Sequence, residues 1–338
     1  MLGSWEVPAM GARGRPLIRW CLVLAFPVIA GFPSIAASAE PEVAGMITEI
    51  RMGQGSVEVG SSGGERYRPA APLLRLRDGD VVTTTRDASV VVVLSGGRGT
   101  VRVDESTSPF VVTAPPAARG RLHKGLMILE ASFDFLSTTP KDTPSGNLGS
   151  RAGVKPPVIL TPRNGLVLPD SLVFEWRGSS SSRYAVRILA RADEVVLERA
   201  DLAGTRFEYP KDAPRLVAGV RYRFQLLPTW HPPQEVWFEV VDPAYARTIQ
   251  HDLQEMDAAL PVGPSAATAA VLRAGFLARH GLLHDARLCV SDALARRPDE
   301  PTLHFLLGEL SARQGLTQEA MEAFAEARFL LGTPGTPR

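Results

Sequence analysis

Cysteine is nearly absent. Only Cys21 and Cys289 occur in 338 residues, and no C-x-x-C spacing exists, so a disulfide scaffold and a Cys-ligated metal site are both excluded. Lysine is almost as scarce: Lys124, Lys141, Lys155 and Lys211 are the only ones, and arginine supplies the rest of the 37 basic residues. Those 37 face 36 acidic residues, a net charge of +1, which gives the chain no overall field for a phosphate backbone and argues against a nucleic-acid partner. Aromatic residues make up 7%. There is also no Walker-type GxxxxGK, no H-E-x-x-H and no nucleophile elbow set between a strand and a helix. Hydrophobic residues nevertheless reach 45%, enough to build real cores in the two or three domains that a chain of this length suggests.

One long uncharged stretch is present, Trp20 to Ala39, preceded by Arg13, Arg15 and Arg19 and ending in Ala37-Ser38-Ala39. Pro27, Gly31 and Pro33 interrupt it, leaving less than the roughly 20 apolar residues of a spanning helix. The pattern predicts a signal peptide over 1–39, cleaved before Glu40, with a retained anchor as the alternative. Membrane contact is then expected only through an uncleaved leader. Removing the leader takes three Arg and one Glu from a chain of charge +1 and leaves −1. It also leaves Cys289 alone, so no intrachain disulfide can form. Arginine-dominated basic residues together with a leader point to a bacterial envelope and a periplasmic or otherwise extracytoplasmic location.

Residues 40–137 read as β structure: Gly45–Ile50, Ser56–Val59, Ser89–Leu94, Thr100–Val103 and Phe110–Thr113 alternate or run apolar between Gly, Asp and Ser, and no helical period is evident. Val90–Leu94, closed by Gly96-Gly97, suits a strand buried on both faces. Leu76-Arg77-Asp78-Gly79-Asp80-Val81-Val82-Thr83-Thr84, then Ala88–Leu94, Gly97 and Val101-Arg102-Val103 resemble the FecR-type domain, over about residues 43–136. Residues 138–155 are polar and rich in Pro, Gly and Ser, and read as a linker. From 156 to 243 seven short strand-like runs suggest a β-sandwich. Phe174 and Trp176, like Tyr222 and Phe224, share a face at i, i+2. Their spacing resembles fibronectin type III-like modules.

After Pro243 the period becomes helical. Ile249, Leu253, Met256 and Leu260 form one stripe. Ala286, Val290 and Ala293 are matched 34 residues later by Ala320, Phe324 and Ala327, and Ala274 by Gly308. This resembles two tetratricopeptide repeats, within a helical segment over 244–332 followed by a tail at 333–338. The fold class expected is multidomain α+β: a FecR-like β domain, a fibronectin-like sandwich and C-terminal helical hairpins.

Sites are sparse. His280 and His284 read as two surface histidines rather than a ligand pair, Asp78-Gly79-Asp80 as a turn, and Cys289 as a buried inert thiol. Trp230-His231-Pro232-Pro233 is a turn whose indole could stack on a sugar or peptide. Two repeats are one short of a stable array, so the Ala244–Leu260 stripe is expected to complete it. That would leave Arg273, Leu277, His304 and Ser311 lining a groove for a peptide or helix. No cofactor, metal or catalytic residue is expected. The resulting expectation is a non-enzymatic envelope adaptor that binds other envelope proteins; the alternative is a cell-wall or exopolysaccharide glycan binder. Intact-mass analysis of the protein from its native host is expected to give Glu40 as the first residue, and a full-length chain in the inner membrane would refute cleavage.

Overall fold

The computed structural model describes residues 43–61, 66–114, 124–137, 156–169, 172–260 and 265–332; the expected leader, linker and tail lie outside them. The described residues belong to one compact unit, Pro41–Arg338. The architecture is mixed α+β, and its sheets are antiparallel except for one pairing.

The first β unit holds β1 (Val43–Arg51), β2 (Val57–Gly60), β3 (Tyr67–Pro69), β4 (Arg75–Arg77), β5 (Val81–Thr84), β6 (Ser89–Leu94), β7 (Gly99–Val103) and β8 (Phe110–Val111). They form two four-stranded sheets, β4-β1-β6-β7 and β3-β2-β5-β8. Ile47, Ile50, Val90 and Val92 from the first sheet meet Val57, Val59 and Val82 from the second in one core. The Asp78-Gly79-Asp80 turn is locally bonded: the Arg77 amide donates to Asp80 Oδ2 at 2.8 Å, and Gly79 has φ 79°.

β1 and β6 are buried on both faces. In β6 the two-residue alternation sends Val90, Val92 and Leu94 into the β core while Val93 joins a separate core made with the helices. β1 does the same with a defect. Ile47 pairs with Val92 and Glu49 with Val91, so Thr48 is an extra residue, a β-bulge. The bulge lets Thr48 and Glu49 both face the helices, which strict alternation forbids.

The all-β expectation for residues 40–137 is corrected at its end, since Lys124–Ser137 is a helix, α1. Its buried and half-buried positions Gly125, Ile128, Ser132, Phe135 and Leu136 follow a helical spacing. Glu130, Ser132 and Asp134 alternate with Ala131, Phe133 and Phe135, and this two-residue pattern reads as a strand and masks the helical spacing.

The second β unit comprises β9 (Val158–Thr161), β10 (Gly165–Val167), β11 (Val173–Arg177), β12 (Arg183–Leu189), β13 (Val195–Ala203), β14 (Arg206–Glu208), β15 (Arg221–Pro228) and β16 (Gln234–Val240). Sheets β10-β16-β15-β12-β13 and β14-β11-β9 enclose a core in which Phe174, Trp176, Tyr222, Phe224 and Phe238 are buried. Phe174 packs against Phe224 with ring centroids 4.5 Å apart.

Five helices follow: α2 (Pro243–Ala259), α3 (Ala266–Arg279), α4 (Leu283–Arg296), α5 (Pro301–Arg313) and α6 (Thr317–Leu330). α2 starts where the Asp242 side chain accepts from the Ala244 and Tyr245 amides, with Pro243 at the first helical position. The α3–α4 and α5–α6 turns use Gly281 and Gly315, both at positive φ, each followed by a buried leucine, Leu282 or Leu316. Both turns rest on the second β unit. The Leu166 amide donates to the Gly281 carbonyl at 3.1 Å, and Arg163 Nε and Asn164 Nδ2 donate to the Gln314 carbonyl at 2.7 and 3.2 Å.

Small residues set the spacing within the hairpins. Ala286, Ala320, Ala293 and Ala327 are buried, and a Cβ on Gly308 would lie 2.7 Å from the Phe324 ring. Gly308→Leu is therefore expected to lower stability by about 1–3 kcal/mol through overpacking. A urea-unfolding midpoint equal to that of the unaltered chain would contradict this packing.

Candidate functional site

The inner face of α3 and α5 is the surface on which a groove was expected. It is filled by the chain itself. At the helix N-termini β1 covers it, and toward the C-termini α1 does. Leu136 of α1 sits 2.7 Å from where a Gly275 Cβ would be, and the Arg313 guanidinium lies 4.5 Å from the centre of the Phe135 ring. What remains between α1, α3 and α5 is a cavity of about 50 Å³ lined by Phe135, Leu136, Ala278, Phe305 and Leu310. α2 completes the array through α1 more than through α3. Lys124 of α1 pairs with Asp252 at 2.5 Å, and the absent side chain of Gly125 lets α1 approach the Glu255 carbonyl. The stripe expected on α2 is used: Ile249 and Met256 are buried, and Leu253 and Leu260 pack on the same core.

The residues expected to line an open groove are placed accordingly. Arg273 Nε donates to Asp257 Oδ1 of α2 at 2.7 Å. Leu277 is half-buried in the helical core, and His304 Nε2 lies 2.8 Å from the Pro298 carbonyl. Ser311 is 1% exposed, so its place in an open groove is corrected. Helical position alone had put it there, and α1 and the neighbouring helices cover that level of α5. Trp230 belongs to another unit, in the β15–β16 turn, and is 86% exposed.

The β1 contact with the helix N-termini is polar and reciprocal. Glu49 Oε1 accepts from the Ser265 hydroxyl, which also caps α3, and from the Thr268 hydroxyl at 2.5 Å. With its proton committed to Glu49, Thr268 accepts from Thr48, 3.0 Å away. In return the helices supply Glu300, the cap of α5, whose Oε1 accepts from the Ile50 amide at 3.0 Å and the Thr302 amide at 3.4 Å. Each partner thus gives one carboxylate to the other. Arg297 Nη2 stands 3.8 Å from the Oε2 atoms of both. Glu300 is 2% exposed; burial, with Glu49 nearby, pushes its carboxyl up to about 7 against the backbone bonds that favour ionisation. Sequence reading missed this site. Its local signal is an acidic residue before Pro301, which fits a helix cap, while its partner Ile50 is 250 positions away.

No protein family profile and no curated protein sequence matches the chain.

The other candidates behave as packing or turn residues, with one correction. His284 is not a surface side chain. It is largely buried, its Nδ1 has no hydrogen-bond partner, and burial with Arg287 beside it lowers its pKa to about 4. It misses a surface position because the second β unit docks on the start of α4. His280 contacts the Tyr245 hydroxyl at 2.7 Å and the Phe276 ring. Burial pushes the Cys289 thiol up. Asp78 and Asp80 each accept from a backbone amide. Among the described residues no group of three or more His, Cys, Asp or Glu is placed to hold a metal ion, and no helix is long and apolar enough to cross a membrane.

Glu300 and His284 make opposed contributions to stability. A carboxyl raised from 4.5 to about 7 contributes stability that is fully present below pH 4.5 and lost as pH rises through 7. A histidine lowered from 6.5 to about 4 contributes stability present above pH 6.5 and lost as pH falls through 4. Each is on the order of 3 kcal/mol, and over the shared window they offset. Glu300→Gln is therefore expected to make the melting temperature fall between pH 7 and pH 5, and His284→Gln to make it rise over the same range. Parallel melting profiles for the two variants would refute both assignments.

Proposed function

We propose that this chain is an exported, non-enzymatic adaptor of the bacterial envelope, built from a FecR-like β unit, a fibronectin type III-like sandwich and tetratricopeptide-like hairpins. The FecR-like reading rests on the Leu76–Thr84 turn with its positive-φ Gly79 and backbone-bonded Asp80. The sandwich reading rests on two sheets around an aromatic core. The repeat reading rests on the 34-residue recurrence of Gly281-Leu282 and Ala286 as Gly315-Leu316 and Ala320.

One observation carries the adaptor reading: the three units are tied together, and a large aromatic side chain is held out from the tied body. Arg163, Asn164 and Leu166 fix the second β unit to both helical turns, and β1 and α1 close the helical face. Trp230, followed by His231-Pro232-Pro233, projects from the β15–β16 turn. An exposed indole in a proline-braced turn meets the description of an interface anchor, since Trp is over-represented among the few residues that dominate binding energy. The partner surface thus moves from the helical groove to this turn, and an envelope protein is the partner class. Glycan binding is the second reading, favoured by the same indole as a stacking platform.

Affinity capture from envelope extract with the processed chain, followed by mass spectrometry of proteins and sugar analysis of the eluate, separates the two. Trp230→Ala is expected to reduce recovery of the principal protein partner by tenfold or more and leave the melting temperature unchanged. A partner recovered equally by the variant would remove Trp230 from the interface, and an eluate with sugar and no protein would favour the glycan reading.

A further inference from the structure

Between β1, β6, β7 and the starts of α3 and α5 lies a cavity of about 350 Å³. Its lining has more hydrogen-bonding capacity than the fold consumes. Among the described residues, Glu49 and Glu300 use only their Oε1 atoms on protein hydrogen-bond donors. Their Oε2 atoms face Arg297 at 3.8 Å, too far for a direct hydrogen bond and close enough for one bridging group. The Glu300 side chain is 3% exposed, so its carboxyl is largely withdrawn from water. The Arg297 guanidinium makes no hydrogen bond with any described residue; its third ionic neighbour, Asp299, is 4.0 Å from Nε. Arg51 lines the same cavity and its guanidinium has no hydrogen bond or ion pair among the described residues, while Arg102 spends one donor on the Ser89 hydroxyl at 3.2 Å. Three guanidiniums against two carboxylates leave the site at least one positive charge in excess.

We propose that this cavity binds a carboxylated sugar residue, a hexuronic acid or a sugar acid of similar size. Its carboxylate engages Arg297 and Arg51, and its ring hydroxyls bridge to Glu49, Glu300 and the hydroxyls of Ser265 and Thr100. The chemistry selects this class over simpler anions. A small inorganic anion would fill only part of the volume and, carrying few or no hydroxyl donors once ionised, would leave carboxylate oxygens unmatched. A neutral sugar would leave the arginine donors unmatched. A hydroxyl, being both donor and acceptor, is the group that fits a gap between carboxylate and guanidinium. Val91 provides an apolar wall.

The charged groups that share the cavity with Glu300 are Glu49 and Arg51 from β1, Arg102 from β7, and Arg297 from the segment before α5; Asp299, outside the cavity lining, lies 4.0 Å from Arg297 Nε. With its carboxyl raised toward neutrality, Glu300 takes up a proton as pH falls from 8 to 6, and an anionic ligand then binds more tightly. The inference stands apart from the adaptor reading, because neither Trp230 nor a protein partner enters it.

Isothermal titration calorimetry on the full chain with glucuronate, glucose and inorganic phosphate at pH 6 and pH 8 tests it. Glucuronate is expected to bind at least tenfold tighter than glucose and than phosphate, and severalfold tighter at pH 6 than at pH 8. Arg297→Gln is expected to weaken it at least tenfold. Arg51→Gln, at an exposed position that cannot disturb the core, is expected to weaken it about fivefold with the melting temperature unchanged. Glucuronate no tighter than glucose would overturn the proposal, as would phosphate binding as well as glucuronate, or affinity retained in Arg51→Gln and in a folded Arg297→Gln.

Discussion

A strand buried on both faces must find a partner for every polar atom it carries, and β1 carries Thr48 and Glu49 on the face that meets the helices. Leaving such groups unmatched costs about 1–3 kcal/mol for a neutral donor or acceptor and more for a charge. The bulge at Thr48 turns both side chains toward the N-terminus of α3, where Ser265 and Thr268 have hydroxyl protons to give. The helices return Glu300 to the Ile50 amide. Directional bonds of this kind fix the register of the β unit on the helices, which apolar contact alone leaves free to slide. From that register follow the position of α1 along α3 and the closing of the helical face.

Closure changes what the helical hairpins are for. Small residues at Gly275 and Gly308 are used inside the molecule, one to admit Leu136 and the other to seat Phe324. Arg273, which on an isolated repeat would be available to an acidic partner, is already held by Asp257. The helical unit therefore braces the two β units, and both proposed binding surfaces, the β15–β16 turn and the cavity beside Arg297, lie away from its closed inner face.

The parts legible in the sequence were those whose determinants are local or periodic. Val90–Leu94 announced a doubly buried strand because both alternating faces are apolar. The hairpins were legible because Ala286 and Ala320, or Val290 and Phe324, occupy equivalent places one repeat apart. α1 was not, since Glu130, Ser132 and Asp134 alternate with Ala131, Phe133 and Phe135 and imitate the two-residue period of a strand. Nor was the Glu49–Glu300 contact, because the bulge that creates it depends on how β1 pairs with β6. Nothing within Met46-Ile47-Thr48-Glu49-Ile50 distinguishes a covered Glu49 from a solvent-facing one, because its partners Ser265 and Thr268 are more than 200 positions away. The groove expected around Ser311 failed for the same reason: the segment that fills it had been assigned to another unit.

Two buried carboxylates are an expensive way to join two surfaces, and an apolar contact of similar area would hold them at least as well. The Oε1 atoms account for the docking; the Oε2 atoms, with Arg297 and Arg51, contribute little to it and keep the desolvation cost of charge at the interface. A structure retaining that cost without a stabilising return is consistent with a site shaped for something besides folding. The cavity exists only while β1 sits on α3 and α5, so any ligand it takes binds the docked form alone. By linkage, a ligand at one hundred times its dissociation constant would then add about 2.7 kcal/mol to docking. The contact that orders the two units would thereby also report whether the site is filled.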